Sequence, residues 1–437
     1  MCGDLFPLSN EALSPTHCQV ASMSAAPRIS VEIAGPERFA AIEPDWTDLA
    51  RRALTANVFL DPAIVAAAAA CGGTTIDVLL VWSASGQARA GRLIGAWAFA
   101  RRPALSLLPL PILKTPVHDH AFLGGPVLDR DASAEALSSM LDAVVSAPAL
   151  PKILSVGNLD ADGITAAIFD RVLTKRRSRW IRFETRHRPV LLKTEDGGGA
   201  TPISTSRAKA LRQKRRRLAL QGVITCTQHR GGPELDAVIE TFFALEASGW
   251  KARRSARGQA ILCTPSVASF FKLALLDLAA RRRAWITALR VDGRAVAMQV
   301  TVRSGNTAFT WKTAYDERLR ACAPGLLLHQ EVTGQLIADA SLDQADSCNQ
   351  HDTGYMAEFW SGRRAVSDLI VDLREGGTAV YTLICGAETL RRRLLALARS
   401  VRSLLRSWRR RLAPPIDVRD RWKEDRNARQ LHIGPSV

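Results

Sequence analysis

Three consecutive strand patterns in the second half of the chain restrict its fold more than any other feature. Their residues are rich in β-branched and apolar side chains: Trp285–Val291, Arg294–Arg303 and Thr307–Thr313. Asp292-Gly293, between the first two patterns, is typical of a two-residue hairpin turn. A periodic segment over Pro324–Ala340 then predicts a helix that packs on this antiparallel meander. The pattern therefore predicts a mixed α/β unit.

Composition and periodicity divide the chain into four segments. Residues 1–28, rich in Ser, Ala and Pro without periodicity, are expected to form a disordered leader. Residues 29–194 alternate strand and helix patterns and form one predicted α/β unit. A second unit is expected over 195–376, opening with a Gly-rich hinge, and a basic tail over 377–437. Both units share a rough order of helix, strands, helix and strand, so a duplicated fold is expected although no repeat of residues is visible.

The charge balance indicates an anionic partner. The 437 residues include 59 Lys+Arg against 42 Asp+Glu, which gives a formal net charge of +17. A phosphate-bearing cofactor, nucleic acid and an acidic membrane face all fit this charge. With 47% hydrophobic and 23% charged residues a sizeable core is possible, which excludes wholesale disorder, a collagen-like fibre and a coiled coil.

Cysteine spacing and hydropathy predict a cytoplasmic protein. The 8 cysteines show no C-x-x-C pair and no zinc-type pattern with His, so reduced thiols and no metal site are expected. The first residues lack the basic and apolar regions of a signal peptide. The longest apolar stretch, Ala63–Cys71, is too short to span a bilayer.

Short blocks over roughly residues 204–373 resemble a known family in content and order. The blocks are Leu245-Glu246-Ala247-Ser248-Gly249-Trp250-Lys251, Arg257-Gly258-Gln259-Ala260, Leu289 to Met298, Trp311-Lys312-Thr313-Ala314-Tyr315-Asp316-Glu317, Ala323-Pro324-Gly325, and Asp346-Ser347-Cys348 with Met356 and Trp360 downstream. They are similar to GNAT-superfamily acyltransferases of the CelD-type branch, associated with cellulose biosynthesis, whose tandem layout resembles the Fem transferases. The first half resembles the family only loosely, through Phe59-Leu60-Asp61-Pro62 and Gly124-Gly125-Pro126. The resemblance implies two tandem GNAT-like mixed α/β units with a carboxyl-terminal amphipathic helix.

The resemblance also implies transfer of an acyl group from acyl-CoA, such as acetyl-CoA, to an amine or hydroxyl acceptor without a metal. The implied acceptor is a small molecule or glycan-related, in exopolysaccharide or cell-envelope metabolism. Such catalysis needs proximity and donors that stabilise the developing oxyanion. Pro324, Gly325 and Leu326, opening a helix, would offer free N–H groups and a positive dipole end to the cofactor's pyrophosphate. Tyr315 is the predicted general acid, because a phenol with a pKa near ~10 can protonate a leaving thiolate. Asp352, next to His351 in a polar loop, is the predicted general base or amine anchor.

Further predicted binding residues flank these groups. Arg253, Arg254 and Arg257 form a basic loop expected to bind the cofactor, preceded by Trp250 and Lys251 as predicted substrate contacts. Lys312 and Asp316 either position an acceptor or form a solvated turn pair. Family members often have Gly after the Trp-Lys pair, where this chain has Ala252, so the acceptor preference of relatives is not expected to carry over.

Two other functions remain open on the sequence alone. The predicted helix Ser204–Leu220 is dense in cations, with no acid from Gly197 to Pro233. Its basic residues are Arg207, Lys209, Arg212, Lys214, Arg215, Arg216 and Arg217. The alternatives are a Fem-like aminoacyl-tRNA-dependent transferase and a non-enzymatic adaptor for nucleic acid or a membrane surface.

The spacing of apolar residues predicts an amphipathic helix over Thr389–Leu412. Its apolar residues recur at steps of three or four: Leu390, Leu394, Leu397, Val401, Leu404, Leu405, Trp408 and Leu412. Its polar face carries Arg391, Arg392, Arg399, Arg402, Arg406, Arg409 and Arg410. This pattern favours binding at an anionic membrane face, the inner face for a cytoplasmic protein, or to an acidic partner. The alternative is that the apolar residues pack on the protein's own surface.

Overall fold

The computed structural model describes residues 28–84, 91–193, 204–249 and 260–412, so the expected leader lies outside it apart from Arg28. The helices are α1 (Pro36–Ala40), α2 (Glu43–Arg51), α3 (Pro62–Gly72), α4 (Ser133–Ser146), α5 (Ile164–Lys175), α6 (Thr205–Ala219), α7 (Leu235–Ala247), α8 (Pro265–Ala280), α9 (Pro324–Ala338), α10 (Tyr355–Phe359) and α11 (Ala379–Leu412). The strands are β1 (Arg28–Ala34), β2 (Ile76–Ala84), β3 (Arg92–Leu105), β4 (Leu108–Thr115), β5 (Val127–Leu128), β6 (Ile153–Asp160), β7 (Ser178–Arg182), β8 (Arg186–Leu192), β9 (Ile224–His229), β10 (Ala284–Val291), β11 (Arg294–Ser304), β12 (Thr307–Tyr315), β13 (Gln344–Asp346) and β14 (Gly362–Glu375).

The predicted meander is confirmed as β10, β11 and β12, with its ends shifted by a few residues. Asp292 and Gly293 both have positive φ, 46° and 76°, as a two-residue hairpin turn of this kind requires.

Helix α3 was not predicted from the sequence. It contains the longest apolar stretch of the chain. It is a helix because Asp61 caps it, accepting the N–H of Ala63 at 3.0 Å, and because Pro62 fits the first helical position.

All strands of the described residues lie in one mixed sheet of 14 strands. Its order is β1-β2-β3-β4-β6-β14-β8-β13-β12-β11-β10-β9, with β5 beside β3 and β7 beside β14. From either edge inward, four antiparallel strands are followed by one parallel neighbour, β6 beside β4 and β13 beside β12. The two halves of the chain therefore repeat one strand arrangement, which supports the expected duplication.

The last long strand of each half lies in the other half's part of the sheet. β8, which ends the first half of the sequence, pairs with β13 of the second. β14, which ends the second half, pairs with β6 and β7 of the first. The sheet is thus continuous across the predicted boundary at residues 194 and 195, and the division into units at that point stays a prediction.

The apolar core joins the two halves. Phe59 of the first half contacts Phe309 and Trp311 of β12, with ring centres 5.5 Å and 6.1 Å apart. A second apolar cluster packs β11 and β12 against α6, α9 and α10.

The predicted fold class, mixed α/β with a carboxyl-terminal helix, is confirmed. Helix α11 starts at Ala379, before the predicted start at Thr389. Among the helices described here, none combines the length and apolar character needed to cross a bilayer.

Candidate active site

The parallel strands β12 and β13 pair for only a short distance. Their paired residues are Thr307–Phe309 and Gln344–Asp346, and β12 continues beyond them to Tyr315. The last link between the strands is a hydrogen bond from Thr310 Oγ1 to the carbonyl oxygen of Asp346, 3.2 Å long. No strand among the described residues pairs with this edge of β12 beyond Phe309. The edge of β12 beyond Phe309 is therefore without a strand partner among the described residues, and we call the region between this edge and the chain that follows β13 the opening.

A β-bulge in β12 lies where this opening begins. Thr310 and Trp311 together face the single residue Thr301 of β11. A bulge bends a strand and redirects the side chains that follow it. Beyond it, Lys312 packs on the core shared with the first half, whereas Tyr315 packs against the cluster formed with α9. Lys312 and Tyr315, both predicted site residues, therefore lie on different sides of the opening.

Helix α9 begins where β12 ends. Its N-cap residue, Ala323, has a left-handed φ of 48°, and Pro324 and Gly325 behind it are buried while Leu326 is half-buried. The N–H of Gly325 lies in the first turn, where a helix supplies no acceptor. The ring of Tyr315 packs over this turn: a Cβ on Gly325 would lie 3.3 Å from Tyr315 Cδ1. The structure thus brings the predicted general acid to the predicted cofactor-binding turn.

A second tyrosine, not identified from the sequence, lies at the same place. Tyr355 opens α10, hydrogen-bonds with Thr313 of β12 and lies near Tyr315. Its ring contacts the buried His329 edge to face, with centres 5.1 Å apart. Burial raises the pKa of the Tyr355 phenol and outweighs the opposing effect of the Thr313 hydrogen bond, so the phenol stays protonated at neutral pH. Its rarity was the available signal, because the chain has only 3 tyrosines.

The two predicted aspartates are both ion-paired. Asp352 is exposed and its Oδ2 accepts a hydrogen bond from Arg363 Nε at 2.7 Å. Asp316 is buried, caps the turn after β12 by accepting the N–H of Arg318 at 3.0 Å, and pairs with the guanidinium groups of Arg318 and Arg294. Hydrogen bonding from Arg318 holds the pKa of Asp316 below its usual value. These contacts give Asp316 a structural task, and its contact with an acceptor stays a prediction.

Residues from both halves of the chain lie beside Trp311 and Lys312. Lys312 Nζ lies 5.3 Å from the ring centre of Phe271 on α8, and Trp311 Nε1 donates a hydrogen bond to the carbonyl oxygen of His120 at 2.8 Å. Burial, reinforced by the charge of Lys312, lowers the pKa of His120 to about 4, so this imidazole is neutral at pH 7. Sequence reasoning missed His120 because no local pattern links its loop to a strand so distant in the chain.

A buried ionic cluster fixes the end of β13. Asp346 Oδ2 accepts hydrogen bonds from Arg188 Nη2 at 2.7 Å and from Arg364 Nη1 at 2.6 Å, while its Oδ1 accepts the N–H of Cys348 at 2.9 Å. Burial raises the pKa of Asp346, but the two arginines outweigh it and hold this pKa below its usual value. Because Arg188 comes from β8 and Arg364 from β14, the exchanged strands hold the chain that borders the opening.

The predicted basic loop lies outside the described residues. Its predicted site residues are Trp250, Lys251, Arg253, Arg254 and Arg257. The last residue before it, Gly249, lies beside the turn after β12, because a Cβ there would be 3.4 Å from Glu317 Oε1.

Helix α6 presents a basic surface beside α9. Leu211 and Leu218 are buried and attach the helix, while Arg212, Arg216 and Arg217 are exposed. Two of these arginines line a groove of about 750 Å³ with Arg215, Gly222, Ile224 and Asp292 among its other residues. This surface offers phosphates a positive field within reach of the α9 amino terminus.

Comparisons with known proteins show similarity to one family model and to the fold of several solved structures. Residues 205–355 match the family described as an acetyltransferase (GNAT) domain. A search of curated proteins finds no match. Among solved structures, FemX is 10% identical with a TM-score of 0.52, covering 81% of this chain and 99% of its own. The carboxyl-terminal domain of a lysylphosphatidylglycerol synthetase from Agrobacterium fabrum, itself described as putative, is 12% identical with a TM-score of 0.46, covering 81% and 97%.

A tandem GNAT protein from the clavulanic acid biosynthesis pathway is 14% identical with a TM-score of 0.38. The match covers 80% of this chain and 100% of the tandem GNAT protein. At these identities, similarity of structure shows the fold alone. Of the three structures, FemX has a TM-score above 0.5, so the comparison of folds rests on it. Residues 205–355 are thus similar to a GNAT acetyltransferase domain. The CelD-type branch and its association with cellulose biosynthesis stay predictions.

Proposed function

We propose that the GNAT-type domain transfers an acyl group from acyl-CoA to an amine or hydroxyl acceptor at the opening between β12 and β13. The observation that carries this proposal is the edge of β12 that has no strand partner among the described residues and leads to the first turn of α9. Pantetheine contains two amide groups, and an exposed strand edge supplies the N–H and C=O groups that pair with amides. The first turn of α9, at Pro324–Leu326, would receive the pyrophosphate at the positive end of the helix dipole. The N–H of Gly325 would be the donor there, because Pro324 has no N–H and the N–H of Leu326 donates to the carbonyl oxygen of Ala323.

The chemical step requires one nucleophile and one acid. The acceptor nitrogen or oxygen attacks the thioester carbonyl carbon, and backbone N–H groups along β12 would stabilise the negative charge that develops on its oxygen. The C–S bond then breaks with its electron pair on sulfur. The resulting thiolate takes a proton from Tyr315 or Tyr355, which releases free CoA.

The acceptor must lose a proton in the same reaction. Asp352 stays the predicted base, held in place by Arg363. His120 is a second group with the required protonation state, since its low pKa leaves the imidazole unprotonated at pH 7. A tyrosinate formed by proton donation recovers its proton from solvent, or receives that of the acceptor, so the cycle is balanced.

A Fem-like aminoacyl-tRNA-dependent transferase is the second candidate. The exposed arginines of α6 beside α9 favour it, because an RNA backbone would meet them as it approached the opening. The same surface would attract the phosphates of CoA, so the charge alone does not choose between the two donors.

Calorimetric titration with acetyl-CoA, run beside tRNA binding at two salt concentrations, separates these candidates. We expect saturable binding of acetyl-CoA and weak tRNA binding that falls steeply with salt, as non-specific phosphate contact does. A screen of amines for release of free thiol from acetyl-CoA then identifies the acceptor class. Tight tRNA binding without acetyl-CoA binding would favour the Fem-like function, and neither ligand binding would favour an adaptor.

A further inference from the structure

Helix α11 changes its environment along its length. Its first turns pack on the sheet, where three side chains are buried beside Ile370 of β14: Tyr381, Ile384 and Cys385. Ion pairs close this packed segment, because Arg392 binds both Asp368 and Glu388 at 2.6 Å. These contacts fix the direction in which the rest of the helix runs.

Beyond this anchor the helix leaves the protein surface. From Arg393 to Leu405, every side chain that the structure describes is exposed except Ala398, which is half-buried. Large apolar residues continue through this region at helical spacing, and we call them the apolar stripe: Leu390 (58% exposed), Leu394 (57%), Leu397 (62%), Val401 (46%) and Leu405 (56%). Within the described residues the stripe is therefore not covered by the protein's own surface. Contiguous exposed apolar residues of this kind mark an interaction site.

The charge around the stripe indicates what covers it. The segment between Glu388 and Asp417 contains no acid, and its cations are Arg391, Arg392, Arg393, Arg399, Arg402, Arg406, Arg409, Arg410 and Arg411. Pairing with a second copy of α11 would place like charges side by side, which opposes association. Nucleic acid would match the arginines but would leave the leucines in water. A surface with negative headgroups above an apolar layer matches both.

We propose that α11 binds the surface of a bilayer that contains anionic lipids. The helix lies in the plane of the interface, with the apolar stripe at the boundary of headgroups and acyl chains and the arginines at the phosphates. Its anchored first turns hold the sheet at a fixed orientation to this surface. None of the active-site contacts uses the stripe, so the proposal stands independently of the acyl transfer proposed above.

Sedimentation of the full-length protein with vesicles tests this proposal. Vesicles of phosphatidylcholine alone are compared with vesicles of rising phosphatidylglycerol content. We expect binding that rises with anionic lipid. The combined variant Leu394→Gln, Leu397→Gln and Val401→Gln should bind at least about tenfold more weakly, the loss expected from removing even one buried leucine. Glutamine is a good helix former, so circular dichroism should show the helix retained.

A matched control changes exposed apolar residues elsewhere. Leu107, Ile164 and Leu220 are 97%, 58% and 83% exposed, and their combined change to Gln should leave vesicle binding unaltered. Arg393→Gln with Arg399→Gln should weaken binding by about fivefold for each charge removed, and should reduce its dependence on salt.

Three results would overturn the proposal. One is the absence of binding to anionic vesicles at low salt. Another is loss of binding in the arginine variant but not in the stripe variant, which would indicate electrostatic adsorption of the helix to the anionic surface without insertion of the stripe. The third is a dimer in light scattering that the stripe variant abolishes, which would mean that a second copy covers the stripe.

Discussion

The ring of Tyr315 occupies the space in which a side chain at residue 325 would lie, with Cδ1 at 3.3 Å from an ideal Cβ on Gly325. This contact ties the end of β12 to the first turn of α9. The residue expected to act on the thiolate is therefore in contact with the turn expected to hold the pyrophosphate. We expect a substitution at either residue to shift the position of the other.

Gly325→Val should reduce both acetyl-CoA affinity and turnover. The new side chain must displace the Tyr315 ring or tilt the first turn, and loss of a helix-terminus contact with phosphate costs up to about 2 kcal/mol, or roughly thirtyfold in affinity. Calorimetry and thiol release measure the two effects. Gly334→Ala is the matched control, because a Cβ there would meet no atom within 4 Å beyond its chain neighbours and the backbone of its own helix. Equal affinity for CoA in a folded Gly325→Val protein would place the cofactor elsewhere.

Tyr315→Phe and Tyr355→Phe, made separately, identify the general acid. The variant that removes the acid should lose about 10²–10⁴-fold in kcat while KM for acetyl-CoA changes little, because the proton moves only in the transition state. Tyr381→Phe serves as the control, since this third tyrosine lies on α11, buried beside Ile370 of β14 and away from the opening. If neither active-site variant loses more than a few fold, solvent protonates the thiolate.

The pH dependence of turnover tests the state of Tyr355. Burial raises the pKa of this phenol above its ordinary value, near ~10, so the acid form persists through the whole neutral and mildly alkaline range. With an amine acceptor, kcat/KM should rise as the amine loses its proton and should show no falling limb below about pH 10. A falling limb with an apparent pKa near 8 that disappears in Tyr355→Phe would contradict this assignment.

Asp346→Asn should destabilise the fold by about 3–5 kcal/mol, as loss of one partner from a buried ion pair does. Arg188 and Arg364 would keep their buried charges without the carboxylate that now binds them. Urea unfolding measures the change, and Asp119→Asn, at an exposed carboxylate, is the control. If the Asp346→Asn variant were as stable as the wild-type protein near neutral pH, the cluster would not be a source of the fold's stability.

The same cluster gives a signed prediction for acid. The pKa of Asp346 is lower in the folded protein than in the unfolded chain, so its stabilisation is complete above the unfolded value, near ~3.9, and is lost as pH falls through the folded value. Wild-type stability should therefore fall below about pH 4 more steeply than that of Asp346→Asn. Parallel curves would mean that other carboxylates govern acid unfolding.

Local chemistry made part of the fold and site predictable. The hairpin at Asp292-Gly293 follows from two residues that tolerate positive φ. The contact of Tyr315 with Gly325 follows from the short connection between β12 and α9, which keeps a strand end close to the next helix start.

Other parts depend on contacts that no local pattern encodes. The exchange of β8 and β14 results from strand pairing across large sequence separations, where a run of apolar residues fits several neighbours equally well. His120 reaches β12 from another half of the chain, and Tyr355 reaches it only because Thr313 and His329 fit its phenol and ring. In each case tertiary packing, rather than propensity, selects the partner.

Hydrogen exchange with and without CoA, followed by mass spectrometry, tests the proposed cofactor position most directly. Bound CoA should protect the amides of Lys312–Tyr315 and Gly325–Leu327, which border the opening and the first turn of α9. The corresponding parallel pair of the first half, at Lys114–Thr115, serves as the internal comparison and should be unchanged. Protection confined to that first-half pair, or CoA binding with no protection at β12 and α9, would contradict the assignment of the cofactor to this opening.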